Sequence, residues 1–362
     1  MSSPLEEKTF LQENLQWSSI SRLVIPVAGV IFGILLGSLV VVSPERSFFQ
    51  IVGRLFHGAF GTLDNFAGSL IYAIPLGFTG LAIVFSYSAG VFNIGGEGQL
   101  QLAAVATTLV ATATGFSSPL LHTFLAIAAG AVVGALWAFV PGLLRAYKGF
   151  NEIVVTMLLN YVAILLVSYF VQGPIKDPAG YFPQSKPIAA TAKLQIILPG
   201  THLHSGFIIF IGITIVVFII LHKTVFGFRV RSVGLNPEGA KYAGTNVRMT
   251  IVYAMLVSGA LAGIGGSVEI LGVHSRLLEG FSPGYGYDAI AVALLANLNP
   301  FGVILSSFFF GALRNAAANL QIDLGIPVSF VYIIQAIAIL FVISSHGMPK
   351  LLKRIKKRFR HA

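Results

Sequence analysis

Cysteine is absent from this chain of 362 residues, and charge is scarce, with Asp, Glu, Lys and Arg together making up 10%. Without a thiol there is no disulfide framework, no cysteine zinc site and no thiol nucleophile. An ordinary globular domain carries roughly 25% charged residues. The shortage here, beside 56% hydrophobic residues and a mean hydropathy of +0.85, excludes a water-soluble chain. Two catalytic signatures are missing too: no GxxxxGK[ST] phosphate loop and no HExxH occurs. His57, His122, His202, His204, His222, His274 and His346 form no metal-like pair within an apolar run; His202 and His204 fall in the loop after Gln172, and most of the seven read as interfacial residues. No resident metal or cofactor is expected.

What the chain has in abundance is long apolar runs. Crossing about 30 Å of hydrocarbon at 1.5 Å per residue takes roughly 20 residues of helix. Runs of about that reach occupy Leu23–Val42, Ser69–Tyr87, Leu100–Gly115, Leu120–Gly142, Ile153–Val171, Phe207–Leu221 and Ile251–Val273. Shorter ones follow at Ala289–Leu298, Gly302–Ala318 and Val328–Ser344; the first is too short to cross. The expected fold is therefore all-α, a polytopic membrane protein of about ten helical segments, at least one of them broken.

The net charge of +10 is no sign of nucleic acid, because seven of the 23 basic residues crowd into Lys350–Ala362, where they suit anionic lipid on the cytoplasmic side. Other basic clusters are Arg145 with Lys148, and Lys223, Arg229, Arg231, Lys241 and Arg248. Ten crossings from a cytoplasmic start gather all three clusters inside, as the positive-inside rule requires. The domain reading is a cytoplasmic segment over 1–22, one transmembrane domain over 23–344 with halves 23–171 and 207–344, and a basic cytoplasmic tail over 345–362. The loop from Gln172 to Gly206, with its five prolines, then faces out. The N-terminus lacks a basic region ahead of a short apolar core, so no cleavable signal is expected.

Two polar, glycine-rich breaks interrupt the apolar pattern at corresponding places in the halves: NIGGEGQLQ (Asn93–Gln101) and GFSPGYGYD (Gly280–Asp288). Corresponding elements lie five crossings apart, which implies inverted five-helix repeats. Irregular backbone at membrane depth survives only inside protein or beside a water-filled cavity. The expectation is a pathway between the breaks, lined by Phe92, Asn93, Gly95, Gly96, Glu97 and Gln99 on one side and Gly284, Gly286 and Asp288 on the other. Glu97 has an alternative, to cap the helix that follows it. For Gly284, Gly286 and Asp288 the alternative is an external turn, with Asp288 capping the next helix. Glu269 and Arg314 either pair or snorkel to the interface.

A third stretch, FGFRVRSVGLNPEGAKYAGTNVRM (Phe226–Met249), is polar and lies between apolar runs. Asn236 suits an N-cap, Pro237 the first helical position and Glu238 the first turn, while Gly244 suits a left-handed end. A helix this short is not stable alone in water.

The segments Ser88–Thr107, Gly234–Gly272 and Gly284–Ile304 resemble the permease subunits of bacterial ABC importers for ribose-type sugars and nucleosides, and FNIGGEGQ most resembles the nucleoside branch. The resemblance implies a type II-like permease in a bacterial cell membrane, forming half of a channel. Its implied partners are a second permease, most often a different chain, a cytoplasmic ABC ATPase that binds the ATP, and an external solute-binding lipoprotein. Gly234, Asn236, Pro237, Glu238, Lys241, Tyr242 and Gly244 fall on the family's coupling helix. The alternative, an ion-coupled secondary transporter, would use Glu97, Glu269 and Asp288 for its ions.

Overall fold

The computed structural model describes residues 47–324, with Phe32, Leu35, Tyr332, Ile333, Ala336, Ile337 and Leu340 as isolated positions beyond them. The runs Leu23–Val42 and Val328–Ser344, the segment 1–22 and the basic tail lie outside the described residues. Among those described, all regular structure is helical apart from isolated bridges, and six helices are long and apolar enough to cross a membrane.

Two compact units divide the chain. Ala59–Asn315 holds most of the helices, among them α2 (Leu63–Tyr87), α3 (Gly96–Ala111), α4 (Pro119–Leu143), α5 (Glu152–Gln172) and α6 (Gly206–Lys223). Then come α7 (Val225–Leu235), α8 (Pro237–Tyr242), α9 (Val247–Glu269) and α10 (Tyr285–Leu295). In the other unit, formed by Met1–Gly58 with Ala316–Ala362, Arg54 pairs with Asp323 at 3.0 Å and the Asn319 amide donates to Gly58 O at 2.9 Å. These lie on α1 (Phe48–Phe60) and on α11 (Pro300–Leu324).

Helix starts follow local chemistry. Thr62 caps α2 by accepting from Asn65 N, Ser118 caps α4 ahead of Pro119, and Asn246 caps α9 by accepting from Met249 N. The buried centre of Ala59–Asn315 is formed by α2, α3 and α9, whereas α4, α5 and α6 keep most of their surface outward. Lipid tails are as apolar as leucine, so helix association in a membrane depends on close packing, which small residues permit. On α9 and α4 this is explicit: a Cβ on Gly259 would stand 2.3 Å from Gly134 O, and one on Gly134 2.4 Å from Gly259 O. Backbones cross here with no room for a methyl group.

The loop between α5 and α6 is strapped down. Ser185 N donates to Leu277 O, Leu277 N returns to Ser185 Oγ, Ile188 N donates to Ser275 O, and Leu194 N to Leu271 O. His122, expected at an interface, is fully buried and joins this strap to α3, with Nδ1 2.8 Å from Thr191 Oγ1 and Nε2 2.9 Å from Val110 O. His204 lies in this loop, as expected, and is buried.

Candidate functional site

The two glycine-rich breaks meet. Backbone of Gly286, in the first turn of α10, lies so close to α3 that a Cβ there would sit 2.1 Å from Glu97 N. The Glu97 carboxylate spans the junction: Oε2 accepts Gly286 N–H at 2.8 Å and Oε1 accepts the Gln101 amide at 2.9 Å. Two helix N-termini therefore face each other, each carrying roughly half a positive charge, and one buried carboxylate stands between them. Its unit negative charge offsets both. Glu97 lies in the first turn of its own helix, but the backbone N–H that its carboxylate caps belongs to the helix from the other break.

Other polar groups of the first break are bonded to one another. The Asn93 amide donates to Gln99 Oε1 at 3.0 Å and to Ser258 Oγ at 2.8 Å, and its Oδ1 accepts Gly95 N and Gln99 Nε2. Asn160 on α5 accepts Gly98 N at 2.9 Å and donates to Ile94 O at 2.9 Å. Asn93, Glu97 and Gln99 are each at most 1% exposed. Side chains expected to face a pathway are thus turned into protein, where burial without partners would cost roughly 1–3 kcal/mol per group. Phe92 remains partly exposed, its ring 5.9 Å from Tyr87. Its backbone N–H donates to Glu152, which in turn pairs with Arg145 at 3.2 Å.

The second break begins as an exposed turn at Gly280 and Pro283 and packs inward at its end. Gly284 takes a positive φ of 92° and starts α10, Gly286 is buried, and Asp288 pairs with Arg314. Arg314 is buried as well, with its guanidinium 4.9 Å from the Tyr285 ring, so neither snorkelling nor pairing with Glu269 describes it. Glu269 instead lies 3.5 Å from His274 Nε2 and accepts the Tyr285 hydroxyl at 3.3 Å. A cation left unpaired at this depth is expensive, which is why Asp288 is drawn to it rather than to its own helix end.

Between α7 and α9, Asn236 Oδ1 accepts Gly239 N at 3.0 Å and Pro237 opens α8, with Glu238 in its first turn and Lys241 in its last. The helix closes with Gly244 N to Lys241 O and Thr245 N to Ala240 O, with Gly244 at φ 81°. That is the double hydrogen bond of a left-handed helix end. Leu235 and Tyr242 stand 88% and 90% exposed beside it. Just before it, Gly234 touches the turn that follows α2, since a Cβ on Gly234 would lie 2.3 Å from Ser88 O. That turn leads directly into the break at Asn93. Sequence reasoning missed this contact, and also Asn160 and Ser258; a lone asparagine in an apolar run was the available signal for the first.

Among the described residues, six helices long and apolar enough to cross a membrane, together with a buried polar junction between two shorter ones, are the architecture of a multi-pass membrane protein. The chain belongs to the family of branched-chain amino acid transport system permease components, which it matches over residues 65–343. It is 34% identical to the guanosine ABC transporter permease protein NupP of Bacillus subtilis, over 94% of this chain and 98% of that one. It is also 34% identical to the glucose ABC transporter permease protein TsgB13 of Haloferax volcanii, over 88% and 87%. With the nucleoside ABC transporter permease protein NupB of Lactococcus lactis it shares 29% over 92% and 94%. No solved structure matches the chain. Its relatives are named as ABC transporter permease proteins, and the family is one of transport permease components, which agrees with the main expectation and not with an ion-coupled carrier.

Proposed function

We propose that this chain forms half of the translocation pathway of an ATP-driven nucleoside importer, paired with a second, different permease, driven by a cytoplasmic ABC ATPase and supplied by an external solute-binding lipoprotein. Relatives named as pairs, NupP with NupQ and NupB with NupC, support the second permease. In this reading the chain crosses ten times with both termini cytoplasmic, and the halves are inverted repeats. The opposed N-termini of α3 and α10 support that symmetry.

The observation that carries the mechanism is the backbone contact of Gly234 with Ser88. The ATPase grips α8 through Leu235, Tyr242 and the residues around Glu238, and its closure moves α8. Because Gly234 adjoins α8 and rests on the turn after α2, that motion reaches Asn93 and then the Glu97 junction. ATP is bound by the ATPase partner alone. Copurification tests the docking: Leu235→Ala with Tyr242→Ala should leave the chain in the membrane and reduce captured ATPase about tenfold. Full capture by the double variant would remove α8 as the dock.

A further inference from the structure

Polar groups suited to gripping a polyol are used up around the junction, because Asn93, Glu97, Gln99 and Asn160 satisfy one another and the backbone. What remains facing outward beside the junction is aromatic. Tyr287 follows Gly286 on α10, is 37% exposed, and receives the Asn160 amide on its hydroxyl at 3.3 Å. Tyr161, the neighbour of Asn160 on α5, is 61% exposed. No hydrogen-bond partner for the Tyr161 hydroxyl occurs among the described residues.

Tyrosines gather at the two membrane interfaces, where the ring meets acyl chains and the hydroxyl meets water. Tyr169, near the end of α5, fits that placement. Tyr161 does not. It is the tenth residue of a helix of 21, so about 14 Å of helix lies on the side towards Glu152 and a similar length on the other. A hydroxyl facing lipid at that depth would be desolvated without a partner. We propose that Tyr161 and Tyr287 form a solute-binding face at mid-membrane that takes a planar, hydrogen-bonding heterocycle such as a nucleobase. The rings offer flat stacking surfaces, and the hydroxyls bond to the edge of the stacked ring. Asn160 holds Tyr287 in place and is a positioning residue. This inference rests on the importer reading above and adds to it the site and the part of the solute that the site recognises.

Absence of native cysteine makes the test direct. Tyr161→Cys and Tyr287→Cys are introduced singly into the full chain, and the transporter is assembled with its ATPase and second permease in proteoliposomes. Each position is then exposed to a charged, membrane-impermeant thiol reagent. Both should react, and guanosine should slow modification at least fivefold while glucose does not. Tyr161→Phe should raise the KM for guanosine uptake severalfold and leave the amount of assembled complex unchanged. Reaction only with a lipid-soluble maleimide, no reaction with either reagent, or modification indifferent to guanosine would overturn the site. Wild-type uptake measured in parallel separates the two levels. Wild type that imports guanosine while neither position is protected sinks this inference alone. ATP-dependent uptake of glucose but not guanosine also sinks the inference and leaves the permease role intact; no ATP-dependent uptake at all sinks the importer reading itself.

Discussion

The carboxylate of Glu97 accepts the backbone N–H of Gly286 at 2.8 Å, across 189 residues of sequence. One hydrogen bond thereby joins the first turns of two helices that begin at the two breaks. The charge between the opposed helix ends is as important as the bond, since each end alone favours an anion.

Gly286, not Gly96, is the sterically closed glycine of the junction. A Cβ on Gly96 would find nothing nearer than 3.8 Å, whereas on Gly286 it would meet Glu97 N at 2.1 Å. Gly286→Ala should therefore destabilise the protein by about 1–3 kcal/mol, as overpacking does, and reduce uptake at least fivefold. Gly96→Ala should be close to wild type. Thermal stability in detergent and nucleoside uptake measure both.

Charge and hydrogen bond at Glu97 are separable. Glu97→Ala removes both and leaves the Gly286 N–H and the Gln101 amide unpaired, at roughly 1–3 kcal/mol each. Glu97→Gln keeps an acceptor for Gly286 but no longer offsets two positive helix ends. The expected order of melting temperature and of uptake is wild type, then Gln, then Ala. Equal behaviour of Gln and wild type would reduce the carboxylate to an ordinary acceptor.

Sidedness is tested with two introduced cysteines. Tyr181 is fully exposed on the loop between α5 and α6, and Lys241 is exposed on α8. Tyr181→Cys should react with an impermeant reagent in intact cells, and Lys241→Cys only in inverted vesicles. The reverse pattern would invert the proposed topology.

Burial holds the His204 imidazole below its usual value, against the opposing pull of the Glu269 carboxylate. Its Nδ1 accepts Gly206 N–H at 3.3 Å, and its Nε2 finds no partner among the described residues. A lowered folded-state value means that the unfolded chain binds the proton first. The stability this histidine contributes is complete above about pH 6.5 and is lost as the pH falls through the folded value. Melting temperature should drop between pH 7.5 and 5.5, and the drop should be smaller in His204→Gln. An equal drop in both proteins would place the pH sensitivity elsewhere.

Local chemistry made part of this structure legible in the sequence. The α8 segment could be read residue by residue from Asn236 to Gly244, because caps and left-handed ends depend on neighbours within a turn. Five of the six long apolar helices described could be read from run length, whereas the run Leu100–Gly115 is the 16-residue α3 and the shorter run Gly302–Ala318 belongs to a helix long enough to cross. The second break could not, because glycine and aspartate look like an exposed turn until α3 is packed against them. The same rule that gives an acid to its own helix end could not foresee a second N-terminus brought to Glu97 by tertiary packing. Likewise, Arg314 had two acidic candidates in sequence, and only the fold decided for Asp288.

Coupling is the central claim, and the ratio of nucleoside imported to ATP hydrolysed tests it most directly. Gly234→Ala places a methyl group 2.3 Å from Ser88 O and forces α8 away from the turn that leads into the junction. In proteoliposomes containing the assembled transporter, the variant should still capture the ATPase and hydrolyse ATP, while uptake per ATP falls at least tenfold. An unchanged ratio, with hydrolysis and assembly intact, would contradict transmission through the contact of Gly234 with Ser88.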